Sequence, residues 1–150
     1  MTYTRQQVAD VARSLIGVRF RHQGRSRETG VDCVGLLAVM LTELGYPIID
    51  VEGYRRTPAA EVIRSTMLKN FDEIPVSEVG LGDIFIMRTG GVKPRHASVL
   101  ISTETDYEKG IEPQIVHALG LGTKGVVTAE PLRFWIRQCT YGFRLRGLEI

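Results

Sequence analysis

Near residue 70 the hydrophobic pattern of this 150-residue chain changes its period. Before that point apolar residues recur three and four apart, as on one face of a helix; after it they alternate, as on one face of a strand. Thr4-Arg5-Gln6-Gln7 has the form of a capping box, in which the Thr hydroxyl serves the Gln7 amide and the Gln side chain reaches back. Val8, Val11, Ala12 and Leu15 follow at helical spacing and Gly17 offers a C-cap, which predicts a first helix of about three turns. Residues 18–31, rich in Arg, Gly and Ser, read as a loop. From Asp32 to Gly45 the chain is apolar on nearly every side, the mark of a buried helix, capped by Asp32 and stopped by Gly45 and Tyr46-Pro47. Thr57-Pro58 predicts the start of a third helix that runs to Asn70.

The alternating segments are Asp83 to Arg88, Ala97 to Ser102, Gln114 to Ala118, a short piece from Val126 to Ala129, and Tyr141 to Arg146. Pro131 to Gln138 reads as a short helix carrying Trp135. Helices first and strands after predict an α+β domain, with N-terminal helices packed on a central antiparallel β-sheet. The length suits one domain over residues 1–150, and 43% hydrophobic residues supply a core without staples.

The net charge of +2 argues against a nucleic-acid partner. One local basic stretch carries Arg19, Arg21, Arg25 and Arg27; it is either a solvated loop or a rim that attracts an anionic substrate. The polar start MTYTRQQVADVARS has no signal-peptide core and no stretch is long enough to enter a membrane, so the chain is expected to be made in the cytoplasm. Two cysteines could form one disulfide, which a domain of this size neither needs nor forbids.

Cys33 is the residue whose surroundings suggest chemistry. A thiol attacks as thiolate, and its ordinary pKa of about 8.5 must be lowered. Directly after a capping Asp32, at the start of a helix, unpaired amides and the helix dipole favour negative charge. Gly35 would keep the approach open. A free cysteine packed as a small hydrophobe is the plainer alternative. Of the three histidines, His96 opens one predicted strand and His117 lies within the next. If these strands form a hairpin centred near Asp106 and Tyr107, the two become directly opposed partners, with Cβ atoms about 4.5–5.5 Å apart. One imidazole could then orient the other, whereas a slip of one residue would put them on opposite faces. His22 lies in the basic loop, where it lines a site or is solvated. Asp83 follows a Gly-Leu-Gly turn, and no His, Cys or Asp cluster with metal spacing accompanies it. There is no phosphate loop or dinucleotide fingerprint, so neither a metal nor a cofactor is expected.

Four segments in order resemble the NlpC/P60 family of papain-like cysteine peptidases: Gly17-Val18-Arg19-Phe20-Arg21-His22-Gln23-Gly24, Asp32-Cys33-Val34-Gly35-Leu36, Gly82-Asp83-Ile84-Phe85 and Arg95-His96-Ala97-Ser98-Val99. The resemblance implies a peptidoglycan hydrolase that cuts stem or cross-linking peptides, often beside a γ-D-glutamyl bond to a diamino acid. Cys33 would be the nucleophile, His96 its base and His117 the residue that orients the base. Phe20, Arg21, His22 and Asp32 would lie along the substrate. Lacking a signal and standing alone, the chain looks most like the branch carried on phage tails and gene-transfer agents, which implies tail proteins as partners and the cell wall as site of action. It departs from the family pattern in two places: Phe20 stands where a Tyr hydroxyl is usual, and Val34 where Ser is usual. The segment 46–79 is longer than in many relatives. Two other readings fit the same fold: an amidase or acyltransferase on another substrate, and an idle tail-assembly module.

Overall fold

A computed structural model describes residues 3–46, 60–91, 93–120 and 125–149. Helix α1 spans Arg5–Ser14 and starts on the expected capping box: the Thr4 hydroxyl accepts the Gln7 amide at 3.0 Å, and the Gln7 side chain accepts the Thr4 amide at 2.8 Å. The expected loop 18–31 contains a two-residue hairpin, β1 (Arg25–Ser26) with β2 (Gly30–Val31). Helix α2, Cys33–Glu43, is capped by Asp32, and every residue from 33 to 41 is buried. Just beyond its end Gly45 takes a left-handed φ of 76°, which a side chain would resist. The predicted start of the third helix at Thr57-Pro58 lies outside the described residues; α3 covers Ala60–Asn70 and ends where expected.

Six strands form one sheet in which every neighbouring pair is antiparallel: β3 (Phe71–Ile74), β4 (Ile84–Arg88), β5 (Pro94–Ser102), β6 (Gln114–Ala118), β7 (Val127–Pro131) and β8 (Cys139–Leu145), in the spatial order β3-β8-β4-β5-β6-β7. The domain is thus α+β, as the change of period predicts. Strand β3 had no signal in the alternation, and the expected helix 131–138 is two short 3-10 turns, Leu132–Phe134 and Ile136–Gln138.

Alternation along the strands sorts their side chains onto two faces. Ile84, Ile86, Ala97, Val99, Ile101, Val116 and Phe143 meet the helices in the main core. Phe85, Met87, Leu100 and Ile115 form a second cluster, covered by Val76, Val79, Leu132 and Trp135. Asp83 serves as a clamp: fully buried, its carboxylate accepts Arg144 Nη2 at 2.7 Å, Arg5 Nη1 at 3.2 Å and the Gly80 amide at 2.9 Å. It thereby ties α1, the approach to β4 and β8 together.

Candidate active site

The start of α2 is held from two sides. Asp32 Oδ1 accepts the Gly35 amide and Oδ2 the Gln23 amide, both at 2.8 Å, while Arg25 pairs with the same carboxylate at 3.4 Å. The loop is drawn so close that a Cβ on Gly35 would overlap the Gly24 carbonyl oxygen. Gly35 is therefore required by the passing backbone, and the expectation that it opens an approach for substrate is corrected.

Cys33 is 6% exposed. Burial first, and the Asp32 carboxylate second, push its thiol up to about 12, outweighing the backbone amides of Ala97, Val34 and Cys33 itself, which pull the other way. The expected lowering at a helix start is thus overturned: the amides are in place, but burial dominates. The Ala97 amide that bonds the sulfur belongs to the residue following His96, which brings α2 to the beginning of β5.

His96 Nε2 and His117 Nδ1 lie 2.7 Å apart, a buried hydrogen bond between two imidazoles. Burial, with the neighbouring His117, pushes His96 down to about 3, and burial also holds His117 below its ordinary value against the pull of Glu130. Both rings are therefore neutral at pH 7. The expected register is corrected by two residues. His117 opposes Ser98 rather than His96, because the connection closes farther along the chain than Asp106 and Tyr107, with Ser102 opposite Gln114, and the one-residue bulge between Leu100 and Ser102 takes back only part of that shift. A shift of two keeps both rings on one face, and they meet diagonally with centroids 5.0 Å apart.

Two residues that carried no signal in the sequence complete this cluster. Glu130 Oε1 lies 3.6 Å from His117 Nε2, and Trp135 donates its indole N–H to Glu130 Oε2 at 2.5 Å. The Trp135 ring stands edge-on to His117 at 5.2 Å. Alternation could have marked Glu130: with β7 beside β6, Thr128 opposes His117, and Glu130, two residues on, shares its face.

The remaining site candidates lie along the loop before α2. Phe20 is half-buried and packs against the main core. Arg21 is exposed and donates its backbone amide to Val31 O, and His22 is half-buried beside Gln23. Asp32, 4% exposed, is buried as cap and strap. Of the basic stretch, Arg25 is engaged by Asp32, and Arg27 by Glu43 and the Ser14 hydroxyl, whereas Arg19 and Arg21 point to solvent. Cys33 and Cys139 are both free thiols, so the conceivable disulfide is not formed. Among the described residues no group of three or more His, Cys, Asp or Glu is placed to hold a metal, and no helix is long and apolar enough to cross a membrane.

Helices on one face of a six-stranded antiparallel sheet, with a cysteine helix abutting the strand that carries a histidine, make this a papain-like α+β domain. A profile of the NlpC/P60 family matches residues 17–140, and the chain belongs to that family, whose members are cysteine peptidases and hydrolases. Solved structures agree on the fold. A lipoprotein-like NLP/P60 protein of Staphylococcus aureus superposes with a TM-score of 0.60 at 18% identity over 94% of this chain. The NlpC/p60 domain of the peptidoglycan hydrolase SagA gives 0.60 at 17% over 94%, and NlpC2 from Trichomonas vaginalis 0.63 at 16% over 94%. The chain spans 98% of the SagA domain but only 41% of the staphylococcal chain and 45% of NlpC2. No curated protein sequence matches it.

Proposed function

We propose that this protein is a cysteine peptidase that hydrolyses the stem or cross-linking peptides of peptidoglycan, with Cys33 as nucleophile, His96 as base and His117 as the residue orienting the base. The observation that carries the reading is the 2.7 Å bond between His96 and His117 at the strand against which the Cys33 helix abuts. With its Nε2 taken up by His117, His96 has Nδ1 left for the thiol. Because Cys33 rests as a thiol and His96 as a neutral ring, the proton moves in step with attack: from Sγ to His96 as sulfur bonds the carbonyl carbon. Amides at the start of α2 face the developing oxyanion. His96 then gives its proton to the leaving amine, and activates the water that frees the acyl group.

The finer reading places the scissile bond beside a γ-D-glutamyl-diamino acid link and the enzyme on a phage tail; its support is the resemblance of the segments around Gly17, Cys33 and His96. Arg19 and Arg21, exposed at the rim, are the cations available to substrate carboxylates. The cavity near the site does not favour a lipid substrate. It is lined by Val34, Leu37, Ile63, Met67 and Ala97 and holds about 20 Å³, room for a water and not for an acyl chain.

The test is digestion of purified peptidoglycan by wild type, Cys33→Ala and His96→Ala, with products identified by mass spectrometry. Wild type should release new peptide ends and both variants should fall by at least ~10³-fold; identical products from wild type and Cys33→Ala would sink the reading. The masses of the released fragments name the bond. Immunodetection of the protein on purified virions, or its absence from them, decides the tail assignment.

A further inference from the structure

We propose that Glu130 is a positioning residue for the histidine pair: held by the Trp135 indole, its carboxylate draws the His117 N–H to Nε2 and thereby decides which nitrogens of both rings carry protons. The proposal rests on the hydrolase reading above for its functional meaning, though not for its chemistry.

Two neutral imidazoles joined through His96 Nε2 and His117 Nδ1 hold one proton between them and can do so in two ways. In the first, His96 Nε2–H donates to His117 Nδ1, so His96 keeps its lone pair on Nδ1, where it can accept a thiol proton. In the second, His117 Nδ1–H donates to His96 Nε2, and His96 Nδ1 carries a hydrogen and is useless as a base. The ring distance is the same in both. What separates them is the far nitrogen of His117. In the first arrangement Nε2 bears a hydrogen, in the second a lone pair. Glu130 Oε1 faces that atom at 3.6 Å. A carboxylate attracts the N–H and repels the lone pair, so it selects the arrangement in which His96 is a base.

Three further observations fit this role. The carboxylate is anchored, since its other oxygen accepts the Trp135 indole N–H at 2.5 Å. Trp135 also packs edge-on to His117, with ring centroids 5.2 Å apart, which excludes water from the pair. The spacing is built into the sheet: Ser98, His117 and Thr128 are neighbours on β5, β6 and β7, and His96 and Glu130 each lie two residues along from them on the same face. When His96 takes the thiol proton, the positive charge formed there is relayed through His117 toward Glu130.

The test uses 15N-histidine-labelled protein, whose three histidines allow assignment, together with the steady-state kinetics of Glu130→Gln, Glu130→Asp and Trp135→Phe. In wild type the nitrogen spectrum should show His117 protonated at Nε2 and His96 bare at Nδ1. Glu130→Gln should populate the opposite tautomers and lower kcat about 10–100-fold with KM within about threefold. Glu130→Asp should lie between it and wild type. Trp135→Phe, which keeps the carboxylate and frees it, should lower kcat by about 3–10-fold, so the proposal stays testable if Glu130→Gln folds poorly. A folded Glu130→Gln in which His117 keeps its proton on Nε2 overturns the proposal, as does a change of tautomer with kcat unaltered. If wild type cleaves no peptidoglycan, the hydrolase reading fails by itself and the spectra still decide the role of Glu130.

Discussion

Cys33 and His96 are each uncharged at rest. A helix start lowers a thiol by offering amides, and here three amides do act on the sulfur; yet full burial costs the thiolate more than they return. Iodoacetamide should therefore modify Cys33 at pH 7 no faster than an ordinary thiol, with a rate that climbs above pH 9. Fast, pH-independent alkylation between pH 5 and 8 would instead reveal a preformed ion pair. His96 has the complementary consequence for stability. In the unfolded chain it takes a proton near its ordinary 6.5, but in the fold it resists until about 3. The unfolded state thus binds the extra proton as pH falls from 6.5 toward 3, and stability drops by up to about 1.4 kcal/mol per pH unit across that window. Urea midpoints at pH 7 and 5 should differ in wild type, and the difference should shrink in His96→Asn, with the remainder coming from His117, which burial also holds below its ordinary value. The thiol's burial could not be read from residues 30–36, because what covers it comes from β5, more than sixty positions on. Glu130 is hidden for a similar reason: the alternation that marks this strand stops at Ala129, one residue short, and a carboxylate matters only once a neighbouring strand brings it beside His117.

Elements whose ends are local were legible, and elements defined by distant pairing were not. The capping box at Thr4 and the Asp32 cap fix the starts of α1 and α2 within a few residues of chain, so sequence reveals them. Strand β3 is a four-residue edge strand paired only with β8, with two exposed positions in its middle; nothing local distinguishes it from a turn. The β5–β6 register differs from expectation by two because the polar connection between these strands does not announce where it turns, and the one-residue bulge that takes back part of the shift leaves no mark in composition either. That the histidine pair survived the error reflects the period of a strand, since only odd slips separate the faces. At the helix start, the tight passage of Gly24 over Gly35 makes a specific demand. Gly35→Ala should lose about 3 kcal/mol in urea unfolding, with the loop before α2 displaced. Gly91→Ala, whose added carbon meets nothing within 4 Å, should change stability by less than about 0.5 kcal/mol.

At the scale of the whole molecule, Asp83 joins parts of the chain that the hydrophobic pattern leaves independent. Its carboxylate receives guanidinium groups from Arg5 and Arg144, at opposite ends of the sequence, and raises Arg144 above its ordinary value through those hydrogen bonds. Asp83→Asn leaves both cations facing a neutral amide and should lower unfolding stability by about 3 kcal/mol, the low end for a broken buried pair because the arginines keep some solvent contact. The same two ends meet again nearby: Tyr3 forms a parallel bridge to Leu148, its amide donating to Gly147 O at 3.0 Å and its carbonyl accepting from Glu149 at 2.8 Å. Whatever is joined before Tyr3 and whatever is joined after Glu149 must leave through one doorway. The domain can thus be spliced into the loop of a host protein as a cassette with both seams together, or have those seams closed and be reopened at the exposed residues Thr103–Thr105, without moving a strand.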